Sequence, residues 1–399
     1  MSFFKNLISS AIGTFIALGL LFVFMLVFLA GSVALMDEDG DTVELEENTV
    51  LVFDMGLPIQ DREPQSFSFA SALEIDPEAY GLNTIIPAIE NAAKDDLVAG
   101  ISIQNISAMG GISNMHTLRK ALVAFKESGK FIYAYGDYYS QSDYYLASVA
   151  DSIFLHPEGS VDFRGLSAEI LYYKSAQEKS GINMEVIRSG KYKSAVEPFL
   201  NDYMSEENRT QIQSYMDDIW DTLLGDIATS RGLSEKVLDT HADNLAGSNA
   251  QKAISSSLVD GTATRRSYKE KLASRFDDEV ETTNFVDYMS IASRKKGKGS
   301  NRIAVLYAQG EIIYGEGGSE MIGQEKMIKA LKKIGKKKNI KAVVMRINSP
   351  GGSALASELI WEEIEHLKET KKVVVSMGNV AASGGYYIAA NAHEIVAEP

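Results

Sequence analysis

Val373-Val374-Val375-Ser376-Met377-Gly378-Asn379-Val380-Ala381-Ala382-Ser383-Gly384-Gly385-Tyr386-Tyr387 is the stretch whose reading decides the fold. Its β-branched start predicts a buried strand. Small residues and Ser383 then break the run, and after Gly384-Gly385 an apolar segment resumes to Ala392. The order is strand, tight turn, helix start. Such a turn can hold a serine hydroxyl where backbone N–H groups point outward and favour negative charge. Its small neighbours let a second backbone come close. A Gly/Ser turn that merely joins two elements has the same composition, so the choice between them rests on the rest of the chain.

The chain contains this unit twice. Thr49-Val50-Leu51-Val52-Phe53 and Arg302-Ile303-Ala304-Val305-Leu306-Tyr307 both read as strands entering a turn. Each is followed by a helical pattern (residues 83–93 and 325–334) and a second strand (99–106 and 341–347). These second strands run into Gly110-Gly111 and Gly351-Gly352, an offset of 351 − 110 = 241. Past the next helix the offset reads 242: Gly136 matches Gly378, Tyr144-Tyr145 matches Tyr386-Tyr387, and Pro157 matches Pro399. One gap over about sixty residues marks a tandem repeat, and alternating strands and helices imply a mainly parallel sheet with helical cover. The copies differ at the turn. Gln141 stands opposite Ser383, Ser142-Asp143 opposite Gly384-Gly385, and Ser107-Ala108-Met109 opposite Asn348-Ser349-Pro350. One copy keeps a scaffold and the other keeps a small, nucleophile-bearing turn.

Composition removes several function classes. At 399 residues there is room for two or three domains. A formal charge of −15 argues against a general nucleic-acid binder. With no Cys, thiolate catalysis, disulfides and Cys-ligated metals are excluded. The five His are scattered without ligand spacing, so no metal and no other cofactor is expected. No charge occurs between Lys5 and Asp37, and the apolar core at 12–35 is long enough to cross a bilayer of about 30 Å. Lys5 precedes it and Asp37-Glu38-Asp39 follow. This predicts an uncleaved, single-pass signal anchor with a cytoplasmic N-terminus and an extracytoplasmic remainder. The expected organisation is a cytoplasmic tip and anchor (1–36), an acidic spacer (37–48), a first, degenerate repeat (49–163), a largely helical segment (164–293), a basic Gly-rich linker (294–301) and a second repeat (302–399). Within the middle segment, helices are expected at 168–180, 206–231 and 234–241, and a strand at 182–187.

Ser383 is the candidate nucleophile, and Gly351-Gly352 can aim N–H groups at a developing oxyanion. The serine needs a base. His393 lies ten residues on, across a helix, and is expected to cap or pack there. A lysine can serve where burial lowers its pKa, and Gly190-Lys191-Tyr192-Lys193-Ser194-Ala195-Val196-Glu197-Pro198-Phe199, with apolar residues close by, is the place to look.

Tyr192-Lys193-Ser194-Ala195-Val196-Glu197-Pro198-Phe199, Asn348-Ser349-Pro350-Gly351-Gly352-Ser353 and Ala381-Ala382-Ser383-Gly384-Gly385-Tyr386, in this order, resemble the signal peptide peptidase A family in its long, tandem-repeat bacterial form (peptidase family S49). The resemblance implies an α/β chain of two tandem Clp-protease/crotonase-like repeats with helical segments, preceded by one transmembrane helix. It implies a Ser–Lys dyad, with Ser383 as nucleophile and Lys193, not Lys191, as general base. By analogy, the N–H groups of Gly352 and Gly384 form the oxyanion hole, with Gly351 and Ser353 at the substrate. It further implies a homo-oligomer, a homotetramer by the family pattern, at the bacterial inner membrane with its catalytic part periplasmic. Its substrates would be cleaved signal peptides and other extended apolar peptides. Family members continue past the position of Pro399, so a C-terminal truncation is expected here. The alternatives are a catalytically inactive membrane-bound scaffold of the same fold and a crotonase-like acyl-CoA enzyme. Export argues against the latter.

Overall fold

Consecutive apolar residues become parallel strands because both faces of such a sheet are covered. The computed structural model describes residues 2–36, 45–54, 56, 58–63, 79–104, 110–276, 280–292, 299–318 and 320–398. Residues 37–44 of the acidic spacer, 105–106 of the strand expected at 99–106, 294–298 of the basic linker, Ser107-Ala108-Met109 and Pro399 lie outside these. The chain forms two units, divided after residue 44.

The first unit is helix α1 (Ser2–Met36). Its segment Phe3–Phe28 is long and apolar enough to cross a membrane, and none of it is buried.

The second unit holds both repeats. In the first, β1 (Thr49–Phe53), α2 (Leu82–Ala92), β2 (Val98–Gln104), α3 (Ile112–Lys126), β3 (Phe131–Gly136), α4 (Gln141–Ala147) and β4 (Ser152–Leu155) follow one another. A long helix, α5 (Glu206–Arg231), starts at Ser205, whose side chain accepts from Asn208 N–H, and stops at left-handed Gly232. Then come β5 (Gly261–Thr262), α6 (Arg265–Ala273) and β6 (Thr282–Asn284). The second repeat runs β7 (Arg302–Gln309), α7 (Gln324–Gly335), β8 (Ile340–Ser349), α8 (Ala354–Lys368), β9 (Lys372–Ala381), α9 (Gly384–Ala389) and β10 (Glu394–Val396).

The sheets have the orders β5-β4-β3-β2-β1-β6 and β10-β9-β8-β7, and every pairing is parallel. The order β4-β3-β2-β1 repeats as β10-β9-β8-β7, so the duplication read in the sequence is real in three dimensions. The expected one-residue slip is absent. The starts of α2 and α7 (324 − 82), of β2 and β8 (340 − 98) and both ends of α3 and α8 (354 − 112 and 368 − 126) all differ by 242. Gly110 therefore matches Gly352, and Gly111 matches the helix-capping Ser353.

On one sheet face of the first repeat, Leu51, Ile101, Ile103 and Ile132 pack against Ile85, Ile89, Leu118, Leu122 and Phe125. On the other, Leu272 and Phe276 cover Val50 and Phe131, and Tyr268 stacks on Tyr135. In the second repeat Val343, Met345, Val373 and Val375 pack under Leu331, Ile360, Ile364 and Leu367. Ile303, Val305, Ile395 and Val396 stay exposed. Among the described residues, nothing pairs with the outer edges of β7 or β10.

Two expectations for the middle segment fail. The helix expected at 168–180 forms only at Lys174–Ser180, ended by left-handed Gly181, and 182–187 is not a strand. Ile182, Met184 and Ile187 are exposed, and a strand needs a neighbour to satisfy its backbone.

The repeats are joined by polar contacts that the sequence does not advertise. Arg346 on β8 donates Nε to Asp61 Oδ1 at 2.8 Å and Nη1 to Ser376 Oγ at 2.9 Å and to the Met377 carbonyl at 2.7 Å. Asn379 on β9 accepts from the N–H of Ser113 at 3.0 Å and donates to the Gly110 carbonyl at 2.6 Å, capping α3 of the other repeat. Asp61 is buried and its Oδ2 has no partner. Arg346→Ala is thus expected to lower the unfolding free energy by about 3–5 kcal/mol, seen as a lower urea midpoint at unchanged slope. Adding Asp61→Leu to Arg346→Met should recover most of the loss.

Candidate active site

Strand β9 ends where the small residues begin. The Ala382 N–H donates to the Ser349 carbonyl at 3.0 Å, the Gly385 N–H to the Ala382 carbonyl at 2.8 Å and the Tyr387 N–H to the Ser383 carbonyl at 2.9 Å. This tight junction puts Ser383 at φ 51°, ψ −120°, a conformation that costs a non-glycine residue free energy and tends to mark function. The Ser383 side chain is exposed and makes no capping bond. The turn is the strand-to-helix elbow that the sequence predicts, with its hydroxyl presented outward.

The Gly351-Gly352 turn lies directly against it. Gly351 has φ +98°, and a Cβ added there would come within 2.5 Å of Gly384 N and 2.7 Å of Ser383 Cβ. Gly352 has φ +152°, and a Cβ there would strike the Ile312 carbonyl oxygen at 2.1 Å. That turn is held from behind by the strand Glu311–Ile313. The Ile312 N–H donates to the Gly351 carbonyl and the Ser353 N–H to the Ile312 carbonyl, both at 2.8 Å. Buried Ser349 completes the support. Its Oγ donates to the Gly310 carbonyl at 2.6 Å and accepts from Gly351 N–H at 3.1 Å. A Cβ at Gly384 would lie 3.3 Å from Gly352 N, so the two amides are neighbours. Among the described residues, neither the Gly352 nor the Gly384 N–H donates to an internal acceptor. Two unpaired amides beside an exposed serine hydroxyl can bind an anionic tetrahedral centre.

Ser353 accepts from Ala356 N–H at 3.3 Å as the N-cap of α8. His393 exchanges two 3.0 Å hydrogen bonds with the Val373 backbone and is not aimed at the serine.

Lys193 lies elsewhere in the fold. It precedes the short helical turn Ser194–Val196 and is exposed, and its Nζ has no partner among the described residues. Its carbonyl accepts from Arg188 Nη1 at 3.0 Å. No hydrogen bond brings it to Ser383 within this chain. The segment after it is anchored by Glu197, a buried carboxylate that the sequence reading missed. Glu197 accepts from Ser205 Oγ, from Asn208 Nδ2 at 2.9 Å and from Ser205 N–H at 3.4 Å. Burial opposes its ionisation, but these hydrogen bonds, with Arg188 nearby, outweigh that and hold its pKa below the usual value. Its position inside an otherwise small and apolar motif was the available signal.

The first repeat shows what replaces the serine. Gln141 accepts at Oε1 from the N–H groups of Arg164 and Gly165, both at 3.1 Å, and donates Nε2 to the Gly165 carbonyl at 3.1 Å. The position that carries a free hydroxyl in one copy carries a backbone staple in the other.

The sequence matches the model described as Peptidase family S49 over residues 124–278 and 365–399. Lys193 and Ser383 fall inside the matched stretches, and Gly351 and Gly352 between them. The chain is 36% identical over 337 residues to Protease 4 of Haemophilus influenzae, covering 81% of this chain and 55% of that protein. It is 35% identical over 326 residues to Protease 4 of Salmonella typhi, covering 79% and 53%. It is 32% identical over 320 residues to the chloroplastic serine protease SPPA of Arabidopsis thaliana, covering 77% and 47%. The chain spans about half the length of these curated relatives.

Two outcomes are expected from this geometry. Gly351→Ala should displace the serine turn and cut the rate of labelling of Ser383 by an acylating probe about 10²-fold. A carboxyl with a depressed folded pKa stabilises above its unfolded value and loses that stabilisation as pH falls through the folded one. Amide protection factors over residues 194–208, taken relative to intrinsic exchange at each pH, should therefore fall on acidification below about pH 4, and Glu197→Gln should abolish that dependence.

Proposed function

The chain belongs to peptidase family S49, and on that premise we propose that it is a membrane-anchored serine endopeptidase acting on extended apolar peptides, released signal peptides among them. The observation that carries the proposal is the pair of unpaired Gly352 and Gly384 amides beside the strained, exposed Ser383. Lys193, neutral, takes the proton from Ser383 Oγ, which attacks the peptide carbonyl carbon. The two amides hold the resulting oxyanion. The C–N bond breaks as the lysine returns its proton to the leaving amine, and water then hydrolyses the acyl-enzyme by the reverse proton path. Lysine works as a base when it is desolvated. Exposed Lys193 meets that condition only once covered, by bound peptide or by another protomer of a homo-oligomer. Helix α1 suits a single-pass anchor with its N-terminus in the cytoplasm and the peptidase outside.

A second reading, an inactive scaffold of the same fold, draws on the lack of any contact between Lys193 and Ser383 within one chain. Hydrolysis of an apolar fluorogenic peptide separates the two. Ser383→Ala and Lys193→Met should each lower turnover by about 10³-fold or more. An active Lys193→Met would move the base elsewhere. Failure of the unmodified protein, in its full natural length, to cut the peptide or take up a serine-directed acylating probe would favour the scaffold.

A further inference from the structure

Two cavities join across the first repeat. One, of about 250 Å³, lies between α3, α4 and α5, walled by Ile112, Met115, Tyr145, Met216, Ile219 and Leu223. Gly111, Gln141 and Ser142 also line it, and at the offset of 242 these are the counterparts of Ser353, Ser383 and Gly384. No charged side chain lines it. The other, of about 300 Å³, shares Ile112, Tyr215 and Ile219 with the first and continues along Met377, Gly378 and Asn379 to Ala381, two residues before Ser383. His116, Asp218 and Glu398 also line this outer half. Strand β10 pairs only with Val374, Val375 and Ser376. Strand β9 therefore runs on past its neighbour from Met377, and that extension lines the trough.

We propose that this trough is an exosite that binds an apolar segment of an extended peptide without cutting it, delivering the chain to the Ser383 turn. The inference rests on the peptidase reading for its substrate class. Three observations favour this occupant. The trough is continuous with the strand that carries Ser383. The walls of its inner half carry no charged side chain and are mostly apolar, with Gln141, Ser142, Ser167 and Tyr215 as the polar exceptions, so an ionic ligand would lose its hydration without a countercharge. The β9 extension past β10 presents a strand edge along which an extended chain can lie. Gln141, stapled to Arg164 and Gly165, carries no nucleophile, so whatever binds there stays intact. The duplicated repeat would thus have kept the side-chain pocket of a peptide site while giving up its chemistry.

The test uses the full-length chain with Ser383→Ala, in detergent, and a fluorescent extended apolar peptide carrying a photoreactive benzoylphenylalanine. Saturable photo-adducts are expected on Met115, Tyr215 and Met216. Met216→Lys and Tyr215→Lys, both at partly exposed positions, should each weaken binding about tenfold at an unchanged melting profile. Adducts confined to the Gly351 and Ser383 turns, lysine variants that bind like the parent, or no saturable binding would each overturn the exosite. Cleavage is read separately on the chain with Ser383 intact. Cleavage without adducts on α5 removes the exosite alone, and adducts without cleavage remove the peptidase reading alone.

Discussion

At one point in this molecule two turns meet with no space for a side chain between them: Gly351 against Ser383 and Gly384. Both turns are forced by strands ending in register. β8 and β9 pair through Ile347 and Met377, shift, and pair once more at Ser349 and Ala381. Past that pair each chain must leave the sheet over the same small area, and only glycine backbones fit. The close approach brings the Gly352 and Gly384 amides side by side. It also leaves Ser383 in a conformation that neither strand nor helix would choose. The candidate site follows from packing two turns, and exposed Ser383 is where the strain of that packing appears.

The rest of the unit holds these turns still. Ile312 clamps the Gly351-Gly352 backbone from behind, and Ser349 ties it to Gly310. Asn379, on the strand that delivers Ser383, spends its side chain on capping a helix of the other repeat. Arg346, partly buried beside Asp61, ties down the same strand at Met377. Polar groups at this depth are costly unless paired, so each bond also constrains register. The first repeat lacks the serine turn, yet it supplies the surface against which that turn is braced. One copy presents the exposed serine turn and the other braces it.

Sequence periodicity revealed β1, β2, β7, β8 and the start of β9, several helices, the tandem duplication and the turn bearing Ser383, because these depend on local apolar pattern and on where small residues must fall. It erred where pattern and environment part. Residues 182–187 have strand-like composition and no strand beside them. The slip read between the repeats does not exist, because paired glycines align more readily in sequence than helix caps do. Lys193 was reached by resemblance and not by physics. Its solvated position in the chain is what a lysine adopts by default, and nothing local marks it as a base.

The amino-acid sequence alone determined that two β/α units would form, that one would carry a serine on a glycine-flanked elbow, and that an apolar helix would precede them. Those outcomes follow from residue-by-residue preferences for burial and backbone angle. Tertiary structure decided which amides stay unpaired, how Asn379 and Arg346 join the repeats, that Glu197 anchors the lysine segment, and that the first repeat's silent turn opens onto an apolar trough. Each of these depends on groups far apart in the chain meeting at hydrogen-bond or van der Waals distance, and such meetings are fixed only when the sheets, helices and turns pack together.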